Sequence, residues 1–207
     1  MEEIVVRQAV PSDLPYLYEI CLKTGDRGKD ASAQFSDPYL IGHYYIAPYP
    51  LYHKGICFVA EYERRPRGYI AAVPDTAAFM QWMEEYWLVP LRKRFPKPFP
   101  ESCSEKEKNI FSLIHKQHYP VDINILPRLA DYPAHLHIDL LPDIQRKGIG
   151  RTLMKSLFTE LLRQGVSGLH LGVGPENRGA IDFYKKTGFS VLEEQKREIT
   201  MGKRLKN

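Results

Sequence analysis

The run Gln145-Arg146-Lys147-Gly148-Ile149-Gly150 stands between a β-rich segment, His135-Leu136-His137-Ile138-Asp139-Leu140-Leu141, and an amphipathic stretch that begins near Arg151. A strand, a glycine-bearing turn and a helix in that order place the chain in the α/β class. The arrangement also makes an anion site. The first N–H groups of a helix have no partner within it and lie at the positive end of its dipole. Gly148 and Gly150 carry no Cβ that would block a ligand's approach to the backbone. Arg146, Lys147 and Arg151 add positive charge around the turn.

Hydrophobic periodicity extends the reading in both directions. Ile149, Leu153, Met154, Leu157, Phe158, Leu161 and Leu162 form one apolar face of a helix over residues 148–163, and Gly165 suits its C-terminal stop. A strand at 169–173, a helix at 177–187 and strands near 189–193 and 198–202 follow. Upstream, residues 4–9 read as a strand, and Ser12 or Asp13 can cap a helix carrying Leu14, Leu17, Ile20 and Cys21. A second helix is expected at 38–46. Strands at 55–61 and 68–73 read as a hairpin turning at Arg64-Arg65-Pro66-Arg67, because proline cannot donate to a central ladder.

Residues 75–133 break that rhythm. Residues 77–91 are aromatic and helix-like, 92–100 are basic and proline-punctuated, and 104–117 open on Ser-Glu-Lys-Glu, a capping-box pattern. The stretch is short and has no flexible linker at either side. It therefore reads as a helical insertion in a single domain spanning 1–207.

Charge and cysteine usage narrow the class. The net charge of +4 comes from lysines and arginines interspersed with acids, so no basic block argues for nucleic acid. No stretch is long and apolar enough for a spanning helix, and the opening Met1-Glu2-Glu3 lacks the basic start of a signal peptide, so a cytoplasmic protein off the membrane is expected. Cys21, Cys57 and Cys103, odd in number and far apart, fit reduced thiols, and no ligand spacing for a metal is present.

The Walker pattern is absent, and the dinucleotide fingerprint fails because the run is Gln-x-x-Gly-x-Gly. What fits is Gln-x-x-Gly-x-Gly after a strand, followed by Asn177 and by Ala180-Ile181-Asp182-Phe183-Tyr184-Lys185-Lys186-Thr187-Gly188-Phe189. Together these resemble the GCN5-related N-acetyltransferase (GNAT) superfamily. The resemblance implies a central, mixed but mostly antiparallel sheet of about seven strands with a splayed central pair, helices on both faces, and an acetyl-CoA-binding core over about 134–190. It implies that Gln145, Arg146, Lys147, Gly148, Ile149, Gly150, Arg151 and Thr152 hold the pyrophosphate and that Leu140 and Leu141 pair with the pantetheine arm. Asn177, Ala180 and Phe183 complete the cofactor site, and the Tyr184 hydroxyl lies near the thioester sulfur. A phenol with a pKa near ~10 stays protonated at neutral pH and can protonate a leaving thiolate.

A narrower resemblance covers most of the chain. Tyr18-Glu19-Ile20-Cys21-Leu22-Lys23-Thr24-Gly25-Asp26, Gly28-Lys29-Asp30-Ala31 and Tyr132-Pro133-Ala134-His135-Leu136-His137-Ile138-Asp139 look like bacterial acetyltransferases related to the histone-acetyltransferase-like C-terminal domain of animal O-GlcNAcase. It puts Asp139 in the position of a catalytic base. Strand alternation independently sets His135, His137, Asp139 and Leu141 on one face and Leu136, Ile138 and Leu140 on the other. Strand-edge salt bridging and binding of a substrate ammonium are the rival roles for Asp139, and a hydrogen-bonded structural role is the more common one for the histidines. Asp26 or Asp30, with His137, is the candidate for meeting the acceptor amine. Tyr44, Tyr45, Tyr49, Trp82 and Trp87 are candidates for the same pocket or, taken singly, ordinary packing.

The expected activity is direct acetyl transfer from acetyl-CoA to a primary amine, with a backbone N–H near Leu141 stabilising the oxyanion. No metal is needed, and the monomer and dimer are equally open. The rival from another class is a catalytically silent acyl-CoA-binding or protein-interaction module.

Overall fold

A computed structural model describes residues 3–119 and 126–205 of the chain. Its strands are β1 (Val5–Gln8), β2 (Ile56–Tyr62), β3 (Arg65–Val73), β4 (Ala134–Leu140), β5 (Gly168–Val173), β6 (Ser190–Glu194) and β7 (Ile199–Arg204). They form one seven-stranded sheet in the order β1-β2-β3-β4-β5-β7-β6. Every neighbouring pair is antiparallel except β4–β5. The helices are α1 (Leu14–Thr24), α2 (Leu40–Tyr45), α3 (Pro48–Leu51), α4 (Thr76–Trp82), α5 (Leu88–Arg94), α6 (Glu105–His115), α7 (Leu126–Asp131), α8 (Ile149–Arg163) and α9 (Arg178–Lys186). The mixed sheet, the covering helices and the helical insertion between β3 and β4 match the expected architecture.

Alternation divides the sheet's side chains into two cores. Cys57, Val59, Tyr69, Ala71 and Val73 pack with α1, α2, α3 and the insertion, while Ile56, Ala60, Ile70, Ala72, Leu136 and Leu171 pack against α8 and α9. β4 pairs with β3 without a bulge, setting Asp139 opposite Tyr69, His137 opposite Ala71 and His135 opposite Val73. These three β4 residues therefore share the face covered by α1 and the insertion.

Three local readings change. The β2–β3 turn is two residues, Glu63 and Arg64, with φ of 50° and 61°, a left-handed pair that follows the twist of a tight hairpin. Pro66 consequently lies inside β3, opposite Glu61, where the register shifts between Ala60 and Glu61 and spares the missing donor. Asp13 does not cap α1. It is buried, and its carboxylate turns back to accept from the Val10 N–H at 2.8 Å and from Arg7 at 2.7 and 2.9 Å. Arg92, Lys93 and Arg94 belong to α5, where positive charge suits a helix C-terminus. A π-helical turn, Met83–Trp87, joins α4 to α5 ahead of Pro90, which has no N–H for the usual ladder.

The capping box of α6 is present. Ser104 Oγ accepts from the Glu107 N–H at 3.1 Å, and Glu107 Oε2 accepts from the Ser104 N–H at 2.8 Å. Buried Glu107 also accepts from the Ser36 N–H (2.7 Å) and hydroxyl (2.5 Å), tying the insertion to the segment after α1.

The feature that positions the site is the β4–β5 junction. Only Ala134↔Leu169 and His135↔His170 are paired, and the parallel strands then part. From Leu136 onward the β5-facing side of β4 has no strand partner among the described residues.

Candidate active site

A cleft of about 900 Å³ opens where β4 and β5 separate. β4 supplies Leu136, His137, Ile138, Asp139 and Leu140, and β5 with its loop supplies Gly172, Val173 and Gly174. The turn before α8 supplies Gln145, Arg146, Gly148, Gly150 and Arg151, and α9 with its approach supplies Asn177, Gly179, Ala180, Phe183 and Tyr184. A further wall, Thr24, Arg27, Gly28 and Lys29, comes from the end of α1 and the turn after it.

The turn has the geometry of an anion cradle. Arg146 has φ 59° and Gly148, the residue before α8, has φ 81°, so the chain bends through left-handed backbone into the helix. A Cβ on Gly148 would meet nothing within 4 Å, so the glycine is there for its dihedral angle. Gly150 has another reason. A Cβ there would stand 3.1 Å from the Phe183 ring, so its absence lets the turn close on α9. Arg151 N–H and Thr152 N–H already donate to Gly148 O, at 3.0 and 3.2 Å. The N–H groups of Gly148, Ile149 and Gly150 have no acceptor among the described residues and remain for an anion.

Other residues of the run are spent differently. Gln145 Nε2 donates to Leu140 O at 2.7 Å. Lys147 leans over the Tyr62 ring, 6.0 Å from its centroid, and like Ile149 and Thr152 does not line the cleft. Leu141 is buried, and its N–H donates to Arg67 O at 2.8 Å, so that amide is not free to hold an oxyanion. Asn177 Oδ1 accepts from Ala180 N–H at 3.2 Å, capping α9 while it lines the cleft.

An acidic group on β4, Asp139, and a phenolic group on α9, Tyr184, both line the cleft. Asp139 accepts a 2.5 Å hydrogen bond from the hydroxyl of fully buried Tyr69. Burial pushes the Asp139 carboxyl up to about 6, against the opposing pull of hydrogen bonds from Tyr69 and Thr24. Burial, and then the Asp139 charge, push the Tyr184 phenol well up, which keeps it protonated. Tyr184 is largely buried, and its hydroxyl has no hydrogen-bond partner among the described residues.

The two histidines part company. His135 is buried between Tyr49, whose hydroxyl lies 2.7 Å from Nε2, and Thr76, whose hydroxyl lies 2.9 Å from Nδ1. Thr76 already donates to Pro133 O at 2.7 Å, so it accepts from Nδ1–H and leaves Nε2 to accept from Tyr49. This is a neutral structural imidazole, held far below its ordinary pKa by burial. His137 lines the cleft against the edges of Tyr45 and Tyr49, and burial lowers it to about 4.

The acidic loop residues lie elsewhere. Asp26 accepts from Lys106 at 2.7 Å and Gln34 at 3.1 Å, and Asp30 accepts from Lys23 and the Ser32 N–H at 2.8 Å each. Neither lines the cleft. Between them Arg27, Gly28 and Lys29 do, and Arg27 spans the mouth to Glu176 at 3.0 Å. The aromatic residues mostly pack on one another: Trp82 stacks on Trp87, whose Nε1 donates to His43 O at 2.8 Å, and Tyr49 and Tyr52 enclose Phe79. The loop after α1 was singled out from sequence for Asp26 and Asp30, whereas Thr24, Arg27, Gly28 and Lys29 are the residues that line the cleft, and the Tyr69 hydroxyl was not singled out. The only trace of Tyr69's role there is its place in a strand whose register with β4 was unknown.

Among the described residues, no group of three or more His, Cys, Asp or Glu side chains could hold a metal ion, and no helix is long and apolar enough to cross a membrane.

Comparison with known proteins agrees with this geometry. Residues 121–189 match the model of the acetyltransferase (GNAT) family. The crystal structure of SsHAT is similar over the whole of both chains, with 30% identity and a TM-score of 0.88. Protein O-GlcNAcase of Rattus norvegicus is 26% identical over 186 residues, covering 88% of this chain, which spans only 20% of that relative's length. The [Ribosomal protein bS18]-alanine N-acetyltransferase of Escherichia coli (strain K12) is 45% identical over 62 residues, 30% of this chain and 42% of that protein.

Proposed function

Because the chain belongs to the acetyltransferase (GNAT) family and is an acyltransferase, we propose that it transfers an acetyl group from acetyl-CoA directly to a primary amine. The observation that carries this reading is one cleft at the β4–β5 split with the free amides of Gly148 and Gly150 at one place and Asp139 and Tyr184 at another. The amides and the flanking Arg146 and Arg151 hold the pyrophosphate. The unpaired side of β4, at Leu136 to Leu140, pairs with the amide groups of pantetheine as a strand would, and the thioester enters the gap.

The roles at the reacting centre follow from protonation state. Asp139, with its carboxyl near 6, is mostly ionised at neutral pH yet basic enough to take a proton from the incoming amine, directly or through water. Attack on the carbonyl breaks the carbon–sulfur bond, and the Tyr184 hydroxyl gives its proton to the departing thiolate. Asn177, Ala180 and Phe183 shape the wall beside the cofactor.

Calorimetry with acetyl-CoA, followed by thiol release with a panel of primary amines, tests this. Binding that is lost in Gly148→Val, together with amine-dependent CoA release that is lost in Asp139→Asn and weakened in Tyr184→Phe, is expected. Failure of the folded protein to bind acetyl-CoA refutes the reading. Binding without transfer to any amine supports the silent-module alternative.

A further inference from the structure

The sheet face that carries His137 and Asp139 continues across the split onto β5. His135 and His170 are paired side by side, with rings 5.8 Å apart, so His170 and, two residues on, Gly172 lie on the same face. Gly172 lines the cleft, and the position its Cβ would take is occupied. The carboxylate of Glu198 lies there, with Cδ and Oε2 2.7 Å and Oε1 3.1 Å from that point. Glu198 is thus laid flat over the backbone of a cleft-lining residue. Any side chain at position 172 would push it away.

Glu198 immediately precedes β7 and closes a tight turn in which Gln195 N–H donates to Glu198 O at 2.8 Å. Its side chain has no ion pair or hydrogen bond among the described residues, and the adjacent Lys196 and Arg197 form none either. The other carboxylates near the mouth are committed: Glu176 to Arg27, Asp26 to Lys106, Asp30 to Lys23. Beside the reacting centre, the Tyr45 ring meets His137 edge-on at 5.6 Å. Its phenol is raised to about 12 by burial first, then by Cys21 and Glu198.

We propose that Glu198 is a specificity-determining residue that selects acceptors carrying a positive charge in addition to the amine that is acetylated, such as a diamine or a basic peptide. The inference rests on the acetyltransferase reading for the identity of the reacting amine. The placement supplies a free carboxylate on the acceptor face, across the split from Asp139. An alkyl ammonium arriving there pairs with Glu198 while its other amine lies toward His137 and Asp139. Lys29, exposed on the facing wall, would favour the opposite class, amines beside a carboxylate, so the two readings give opposite outcomes.

The test is calorimetric titration of 1,5-diaminopentane and of 6-aminohexanoate into the protein, with and without saturating CoA, at low salt. The diamine is expected to bind more tightly than the amino acid, and Glu198→Gln is expected to weaken it roughly fivefold, with CoA affinity unchanged. Glu101→Gln, an exposed carboxylate away from the cleft, serves as the control and leaves the diamine affinity alone. Equal affinity in Glu198→Gln, tighter binding of 6-aminohexanoate, or no diamine binding by protein that takes up CoA overturns the proposal. Loss of CoA binding in the unaltered protein refutes the acetyltransferase reading instead, and the diamine titration without CoA still reports on Glu198.

Discussion

Removing one oxygen, in Tyr69→Phe, isolates the group that holds Asp139. The change deletes a fully buried hydroxyl whose 2.5 Å hydrogen bond runs to the Asp139 carboxylate, and it leaves the ring volume in place. Charge-assisted hydrogen bonds contribute about 1.5–3 kcal/mol, and one pKa unit corresponds to about 1.4 kcal/mol. Water reaching the cleft offsets part of that loss, which leaves an upward shift of about one unit. The sign is fixed because the bond favours the charged form, so its removal raises the pKa. The other groups facing Asp139 are Thr24, Cys21 and Tyr184, and the variant leaves them in place. A carbon-13 carboxyl titration by NMR is expected to move Asp139 from about 6 to roughly 7, with the acid limb of the acetyl-transfer rate moving by the same amount. Linkage adds an independent check: the variant's stability deficit against the parent grows by about 1.4 kcal/mol from below both pKa values to above both. An Asp139 titration that moves by no more than a few tenths of a unit refutes the argument.

Four further outcomes follow from the geometry. Gly148→Ala puts a side chain at φ 81° with no neighbour to meet, so the expected cost is about 1–2 kcal/mol of backbone strain, read by urea denaturation. Gly150→Ala drives a Cβ to 3.1 Å from the Phe183 ring and is expected to weaken acetyl-CoA binding more than it weakens the fold, measured by calorimetry beside denaturation. His137, held at about 4, and His135, held far below its ordinary value, stay neutral in the folded state, so the stability they contribute is complete above pH ~6.5 and is lost as pH falls toward 4. Asp139 works the other way between about 6 and 3.8. The urea midpoint is expected to fall over the histidine window and to fall less in His137→Gln. Glu107→Ala strands the amides of Ser36 and Ser104 and is expected to destabilise by about 3 kcal/mol, measured in the same assay.

How much of this was legible depended on how local each determinant is. The turn before α8 and the Ser104–Glu107 box are set by residues within a few positions of one another, and sequence spacing found them. Strand alternation also put His137 and Asp139 on one face, and β4 kept it because no bulge intervenes. What spacing could not show were relations set by register and tertiary packing. Tyr69 meets Asp139 only because β3 and β4 pair as they do, and Glu198 lies over Gly172 only because β7 runs beside β5. Asp26 and Asp30 looked like free acids in a polar loop, but the insertion supplies Lys106 to one and α1 supplies Lys23 to the other. Pro66 was read as a turn residue because its missing donor excludes a regular ladder, and a register shift between Ala60 and Glu61 removed that exclusion.

Among the described residues the ladder between β4 and β5 ends at His135, and the shared packing of Ile70, Leu136 and Leu171 with α8 and α9 holds β1–β4 together with β5, β7 and β6. Under the proposed function the cofactor stands in the opening between Asp139 on one side and Glu198 on the other, so the span an acceptor must cover is the width of the opening itself.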